Sequence, residues 1–82
     1  MLYDYVIFTI KYEFIAEDEE GEFRDWDYES ITLEHRDVCD FDDEMWEYEK
    51  DYWMSIVENS EEFEKLNAIK ILDIDLYECG WY

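Results

Sequence analysis

Every second residue from Val6 to Phe14 is apolar, a pattern that predicts a β-strand from Tyr3 to Ile15. The second side of this strand is largely apolar as far as Thr9 and turns polar at Lys11. The first side is apolar throughout, with Val6, Phe8, Ile10, Tyr12 and Phe14. A strand with one apolar face and one half-apolar face fits the middle of a sheet. We therefore expect this segment to be a central strand.

An acidic segment, Glu17–Gly21, separates this strand from the next one and predicts a hairpin loop whose glycine adopts a positive φ. The second strand is expected from about Glu22 to Glu34. Its aromatic residues Trp26 and Tyr28 share one side, whereas its later aliphatic residues fall on the opposite side. This switch predicts a β-bulge near positions 29–30, or a change of partner strand there.

A 3.6-residue period of apolar positions predicts a helix that begins with Asp40 as its N-cap and ends at about Asn59. A further short turn, capped by Asn59 or Ser60, is expected to contain Phe63. The inward face of the main helix is expected to hold Phe41, Met45, Tyr48, Tyr52 and Ile56, widened by the core residues Trp46, Trp53 and Val57.

The last strand is expected from about Ala68 to Glu78, with Leu72, Ile74 and Leu76 inward. The element order is then β-β-α-β. A hairpin followed by a right-handed crossover places the third strand on the free edge of the first. We predict a single α+β domain over residues 1–82: a three-stranded antiparallel sheet in the order 2-1-3, with one main helix packed on one face.

The charge of the chain is its extreme feature. It has 26 Asp and Glu against 6 Lys and Arg in 82 residues, a formal net charge of −20. Small soluble domains are comfortable at a net charge of roughly 2 to 8 in magnitude, and larger excesses destabilise the compact state. The hydrophobic content of 49% supports a folded core, so the chain is not a disordered acidic tail. Such an excess favours a function that uses the carboxylates.

Two groups of carboxylates are the candidate partner-binding residues. On the predicted helix, like-charged pairs such as Asp40 with Glu44 recur at i,i+4 spacing, although each costs a few tenths of a kcal/mol, about 0.2–0.5. On the second strand, alternate carboxylates recur at roughly 6.6 Å, a step that resembles the phosphate spacing of a nucleic-acid strand. The helix stripe is Asp40, Glu44, Glu47, Asp51 and Glu58, and the strand row is Asp25, Asp27 and Glu29.

Other kinds of site find little support in the sequence. The acidic run at Asp40–Glu44 lacks the ligand alternation and central glycine of a calcium-binding EF-hand loop. One histidine and two distant cysteines do not make a zinc site, and no nucleophile motif or phosphate-binding loop is present. We expect no catalytic residues, metal or cofactor, hence no enzyme. No stretch approaches a signal peptide or the ~18 apolar residues of a membrane span. We expect a cytoplasmic protein in which Cys39 and Cys79 are free thiols.

A protein this acidic is repelled by nucleic acid and attracted to proteins that bind it. The pattern favours a nucleic-acid mimic, which occupies the basic binding site of a nuclease. In size, charge and lack of catalytic motifs the chain resembles the phage-encoded acidic inhibitors of the anti-CRISPR and anti-restriction type. That resemblance implies a viral protein that acts in the host cytoplasm, with a CRISPR effector or another nuclease as partner. The alternatives are an immunity-type inhibitor of a basic nuclease toxin and a salt-adapted acidic protein. The sequence is compatible with a monomer or a homodimer.

Overall fold

The computed structural model describes residues 3–82, and of His35 and Arg36 the backbone alone. Three strands and two helices follow one another in the order β-β-α-α-β, with 3-10 turns at His35–Val38 and Trp46–Glu49. The strands are β1 (Tyr5–Asp18), β2 (Gly21–Glu34) and β3 (Lys70–Gly80), and the helices are α1 (Lys50–Glu58) and α2 (Glu61–Glu64).

The sheet has the order β2-β1-β3, and both strand pairs are antiparallel. β1 pairs with β2 along its whole length, from Tyr5 opposite Glu34 to Asp18 opposite Gly21. Its other edge pairs with β3 between Tyr5 and Glu13. The predicted α+β fold and the central position of the first strand are therefore confirmed.

β1 and β2 continue beyond the end of β3 as a two-stranded hairpin arm, formed by residues 14–25. Its turn has two residues, Glu19 and Glu20, and Gly21 has the predicted positive φ, 120°. The Asp18 carboxylate accepts a hydrogen bond from the Glu20 amide at 2.8 Å, which fastens the turn. Because of this arm the domain is long and narrow, 50 by 23 by 17 Å.

The predicted β-bulge at positions 29–30 is wrong, because the register between β1 and β2 runs without a shift. The two irregularities lie instead between β1 and β3, where Leu72 and Tyr77 are the extra residues of β3. The first bulge turns Leu72 outward, 41% exposed, and brings Ile71 into the core in its place. The sequence prediction of an inward Leu72 assumed a regular strand and is wrong for this reason.

The main helix begins later than predicted, because residues 39–45 form turns and a 3-10 turn precedes α1. Asp40 therefore caps no helix. Aspartate side chains compete for backbone amides and favour turns over helix interiors. The carboxylate of Asp42 illustrates this by accepting a hydrogen bond from the Glu44 amide at 2.9 Å. The predicted end of the helix near Asn59 is confirmed, and Ser60 caps α2 by accepting from the Phe63 amide at 3.2 Å.

The core lies between the sheet and the helices, and Phe8 of β1 is at its centre. The Phe8 ring contacts the rings of Phe41, Trp46 and Trp53 at centroid distances of 5.7, 5.4 and 5.9 Å. Both tryptophans are buried, as predicted. The predicted inward residues Met45, Tyr48 and Tyr52 are exposed, because the 3-10 turn breaks the α-helical period on which the prediction relied.

The aromatic C-terminus is fastened to the start of the sheet. Trp81 stacks on Tyr3 at 5.1 Å and Tyr82 on Tyr5 at 5.5 Å between ring centroids. The Tyr82 hydroxyl donates a hydrogen bond to the Glu34 carboxylate at the end of β2, and this bond raises the pKa of Tyr82 to about 12. Burial, together with a hydrogen bond to Glu78, likewise raises the pKa of Tyr5.

These tyrosines make stability sensitive to alkali. The folded protein holds the Tyr82 proton more tightly than the unfolded chain, whose tyrosines ionise near pH 10. The stabilisation is therefore complete below pH 10 and is lost as the pH rises through about 12. We expect the midpoint of urea unfolding to fall over this range, and Tyr82→Phe to reduce the fall. Tyr48→Phe is the matched control, because Tyr48 is 82% exposed; an equal effect of both substitutions would contradict the assignment.

Candidate partner-binding surfaces

The carboxylates lie at the surface on every strand and helix. All 26 fall within the described residues, and all but four of them are exposed. The four half-buried ones are Asp4, Glu13, Glu34 and Asp42. The few basic residues cannot balance them: Arg24 pairs with Glu13 at 3.4 Å, while Lys11 and Lys50 lie over tryptophan rings. The surface as a whole is thus strongly negative.

The strand row Asp25, Asp27 and Glu29 lies on the free edge of β2. Its residues pair with Phe14, Tyr12 and Ile10 of β1, so their side chains are on the sheet face that carries the helices. All three are exposed, although Tyr12 and Ile10 beside them are buried, so this face is covered at β1 but not at β2. Burial, assisted by the charges of Asp27 and Glu29, raises the pKa of Tyr12. The row therefore lies on one side of β2, as the alternation predicted.

Two residues of this row also have a structural role that the sequence analysis missed. The Asp25 and Asp27 carboxylates each accept a hydrogen bond from the following backbone amide, of Trp26 and Tyr28, at 2.8 Å. On β3, Asp73 and Asp75 accept in the same way at 2.9 and 3.1 Å. Outward amides of an edge strand otherwise invite another strand to add to the sheet. The four aspartates thus occupy backbone amides of both edge strands, β2 and β3.

The helix stripe does not form a single helical face. Only Asp51 and Glu58 lie on α1, while Glu47 is in the 3-10 turn before it. Asp40 and Glu44 lie in the turns of residues 39–45. All five side chains are exposed, so they remain available to a partner even though the predicted spacing does not apply.

No protein-family model, curated protein or solved structure matches the chain. The assignment of function therefore depends on the surface itself.

Three further observations describe the surface chemistry. Among the side chains that the structure describes, no three His, Cys, Asp or Glu are grouped so as to hold a metal ion. Within residues 3–82, no helix is both long and apolar enough to cross a membrane. Cys39 and Cys79 are free thiols, the former exposed and the latter half-buried.

The sheet face turned away from the helices, here called the open face, carries the most distinctive group of uncharged residues. Trp26 and Tyr28 are 51% and 55% exposed there, and their rings meet edge to face at 5.6 Å. The strand period of two predicted that they share one side of β2 but gave them no role. Trp26 and Tyr28 alternate with the carboxylates of the strand row, so the aromatic pair and the row must point to opposite faces of the sheet.

Removing the edge aspartates separates their two roles. Asp25→Ala with Asp27→Ala removes charge and frees two edge amides, so we expect the double variant to self-associate at high salt, where repulsion is screened. Asp25→Asn with Asp27→Asn removes the same charge but keeps an oxygen acceptor. It should stay at the oligomeric state of the parent in sedimentation experiments. Equal behaviour of the two double variants would show that the hydrogen bonds do not protect the edge.

Proposed function

We propose that the protein is an inhibitor that mimics nucleic acid and occupies the basic nucleic-acid-binding site of a CRISPR effector or another nuclease. The observation that carries this proposal is the fixed, nearly complete exposure of 26 carboxylates against 6 basic residues. A surface of this kind costs folding stability through self-repulsion. A partner with a strong positive field offsets that cost.

The shape of the domain supports the same proposal. It is 50 Å long and at most 23 Å wide, dimensions comparable to a short duplex about 20 Å across. Most of the carboxylates are attached to strands and helices, so little backbone order has to be gained on binding. A basic channel focuses its field on such a body and speeds its association, and the protein then competes directly with DNA or RNA.

The closest mechanism among known inhibitors is that of the phage-encoded anti-CRISPR and anti-restriction proteins, which the chain resembles in size and charge. We accordingly place the protein in the cytoplasm of an infected host. A CRISPR effector suits the proposal because its guide and target channels are lined with basic residues. Within this proposal the protein contributes no catalytic step: it excludes the nucleic acid from its site.

The test is displacement of labelled nucleic acid from purified enzymes. A CRISPR effector, a restriction endonuclease and a basic nuclease toxin are each loaded with fluorescent substrate and titrated with the protein. We expect displacement from one of them at near-stoichiometric ratios, weakening at least tenfold between low and moderate salt. The control is a disordered poly-glutamate of the same net charge, which should displace far less. The proposal fails if the inhibited complex still binds its nucleic acid at full affinity, or if poly-glutamate is equally effective.

A further inference from the structure

The open face holds an arrangement of rings, a cation and carboxylates that charge mimicry alone does not require. The Nζ atom of Lys11 lies 4.3 Å from the centroid of the Trp26 ring. Lys11 is at the middle of the sheet, where it pairs with Tyr28 of β2 on one side and Asp73 of β3 on the other. A cation of this chain is thus held over an aromatic face, with an aspartate at the paired position of the next strand.

A shallow cleft extends this arrangement across the sheet. It has a volume of about 370 Å³ and is lined by residues of all three strands, among them Tyr28, Lys11, Asp73, Asp75 and Tyr77. Aromatic side chains stand at both ends, since Tyr77 is 69% exposed. Their π faces attract cations, and the aspartates between them add charge. The cleft is therefore built to receive positively charged side chains.

We propose that the open face is a docking surface for an arginine-bearing segment of a basic partner protein, and this inference rests on the proposed function. One arginine of the partner takes the place of Lys11 over the Trp26 ring, which lies beside the cleft, and a second arginine enters the cleft between Tyr28 and the aspartates Asp73 and Asp75. Arginine suits the site better than lysine, because its planar guanidinium stacks on rings and donates several hydrogen bonds at once.

Charge selects this occupant over a second copy of the chain. Two copies of the chain, each with a net charge of −20, repel one another, whereas an arginine-bearing segment is attracted. Exposed aromatic residues at the centre of a patch are also the usual anchors of protein interfaces. The carboxylates thus attract the partner over long distances, and the aromatic pair provides short-range contact.

The test uses hexa-arginine and hexa-lysine peptides as probes, with binding measured by tryptophan fluorescence and NMR at moderate salt. We expect the parent protein to prefer hexa-arginine, and Trp26→Leu or Tyr28→Leu to weaken its binding about fivefold. Tyr48→Leu, which removes an exposed tyrosine outside the cleft, should leave both affinities unchanged. Circular dichroism checks that each variant is folded. Equal loss from the Tyr28 and Tyr48 substitutions would overturn the proposal.

Removal of Lys11 gives a sharper result, because the face of the Trp26 ring then becomes accessible to an arginine of the peptide. Lys11→Gln and Lys65→Gln change the net charge equally, but Lys65 follows α2, away from the cleft. We expect Lys11→Gln to strengthen hexa-arginine binding about threefold more than Lys65→Gln does. Equal gains would mean that only overall charge matters, which overturns the inference.

These results are separable from the test of the proposed function. If the protein displaces nucleic acid from a nuclease but shows no preference between the peptides, the docking surface is wrong and the mimicry stands. If the peptides distinguish the variants but no nuclease loses its nucleic acid, the surface stands without the mimicry. Dimerisation of the parent protein that Trp26→Leu abolishes would show that a second copy covers the face, and this too overturns the inference.

Discussion

Replacement of Phe8 by alanine is expected to leave the domain largely unfolded at room temperature. Phe8 is fully buried and its ring contacts three further aromatic rings, so no neighbour can fill the space that it leaves. Such truncations cost about 3–5 kcal/mol. A chain of 82 residues has a free energy of unfolding of about 4–12 kcal/mol, and the repulsion among its carboxylates places this one towards the lower end.

Near-ultraviolet circular dichroism and urea unfolding measure this effect. The control is Phe23→Ala on the hairpin arm, where the side chain is 43% exposed and lies beyond the end of β3. It should cost about 1 kcal/mol or less. If Phe8→Ala still unfolds cooperatively, with a midpoint close to that of the parent, the core does not depend on this ring.

The sheet was predictable because its signals are local. An apolar residue at every second position marks β1 from Val6 to Phe14, and the glycine after an acidic run marks the hairpin turn. Handedness of the crossover then leaves one position for β3. Ser60 was likewise among the expected caps, because a serine three residues before the amide of Phe63 is a helix-start signal.

The start of the helix and the bulges were not predictable by the same reasoning. Periodicity alone joined Phe41 to the helix, whereas the intervening aspartates form turns and a 3-10 segment resets the phase. The aromatic and aliphatic residues of β2 lie on opposite sides of the strand, which suggested a bulge. The strand is regular, and its two ends differ instead in which side the rest of the protein covers. Near Leu33 the helix side is buried, and near Trp26 both sides are exposed.

The candidate site, too, has features that the sequence predicts and features that it does not. Exposure of the carboxylates follows from their chemistry and was predictable one residue at a time. The grouping of the strand row was also predictable, but that of the helix stripe was not, because Asp40 and Glu44 lie outside the helix on which their common face depended. The cation over Trp26 depends on cross-strand register, which brings Lys11 next to β2 and is invisible until the strands are aligned.

The second large effect concerns inhibition itself. Reversal of the row Asp25, Asp27 and Glu29 to lysine is expected to abolish displacement of nucleic acid without unfolding the domain. Each reversal adds two charges, so three raise the net charge by six, from −20. The reversed row also places three cations along one edge, where they meet the basic residues of the partner directly. Repulsion at a close interface costs far more than the loss of one rim charge, which changes the association rate modestly.

Matched reversals at other positions distinguish a contact surface from overall charge. A second set is Glu47, Asp51 and Glu58, the residues of the helix stripe that lie on α1 or in the 3-10 turn before it. Their reversal to lysine should also abolish inhibition if both surfaces enter the channel. Reversal of Glu17, Glu19 and Glu20 in the hairpin arm changes the net charge equally and should cost less. Binding is measured as displacement across a range of salt concentrations, with circular dichroism as the test of folding. If all three sets weaken inhibition equally, the partner responds only to the net charge of the protein. If the row and the stripe reversals both leave inhibition intact, these residues do not contact the partner.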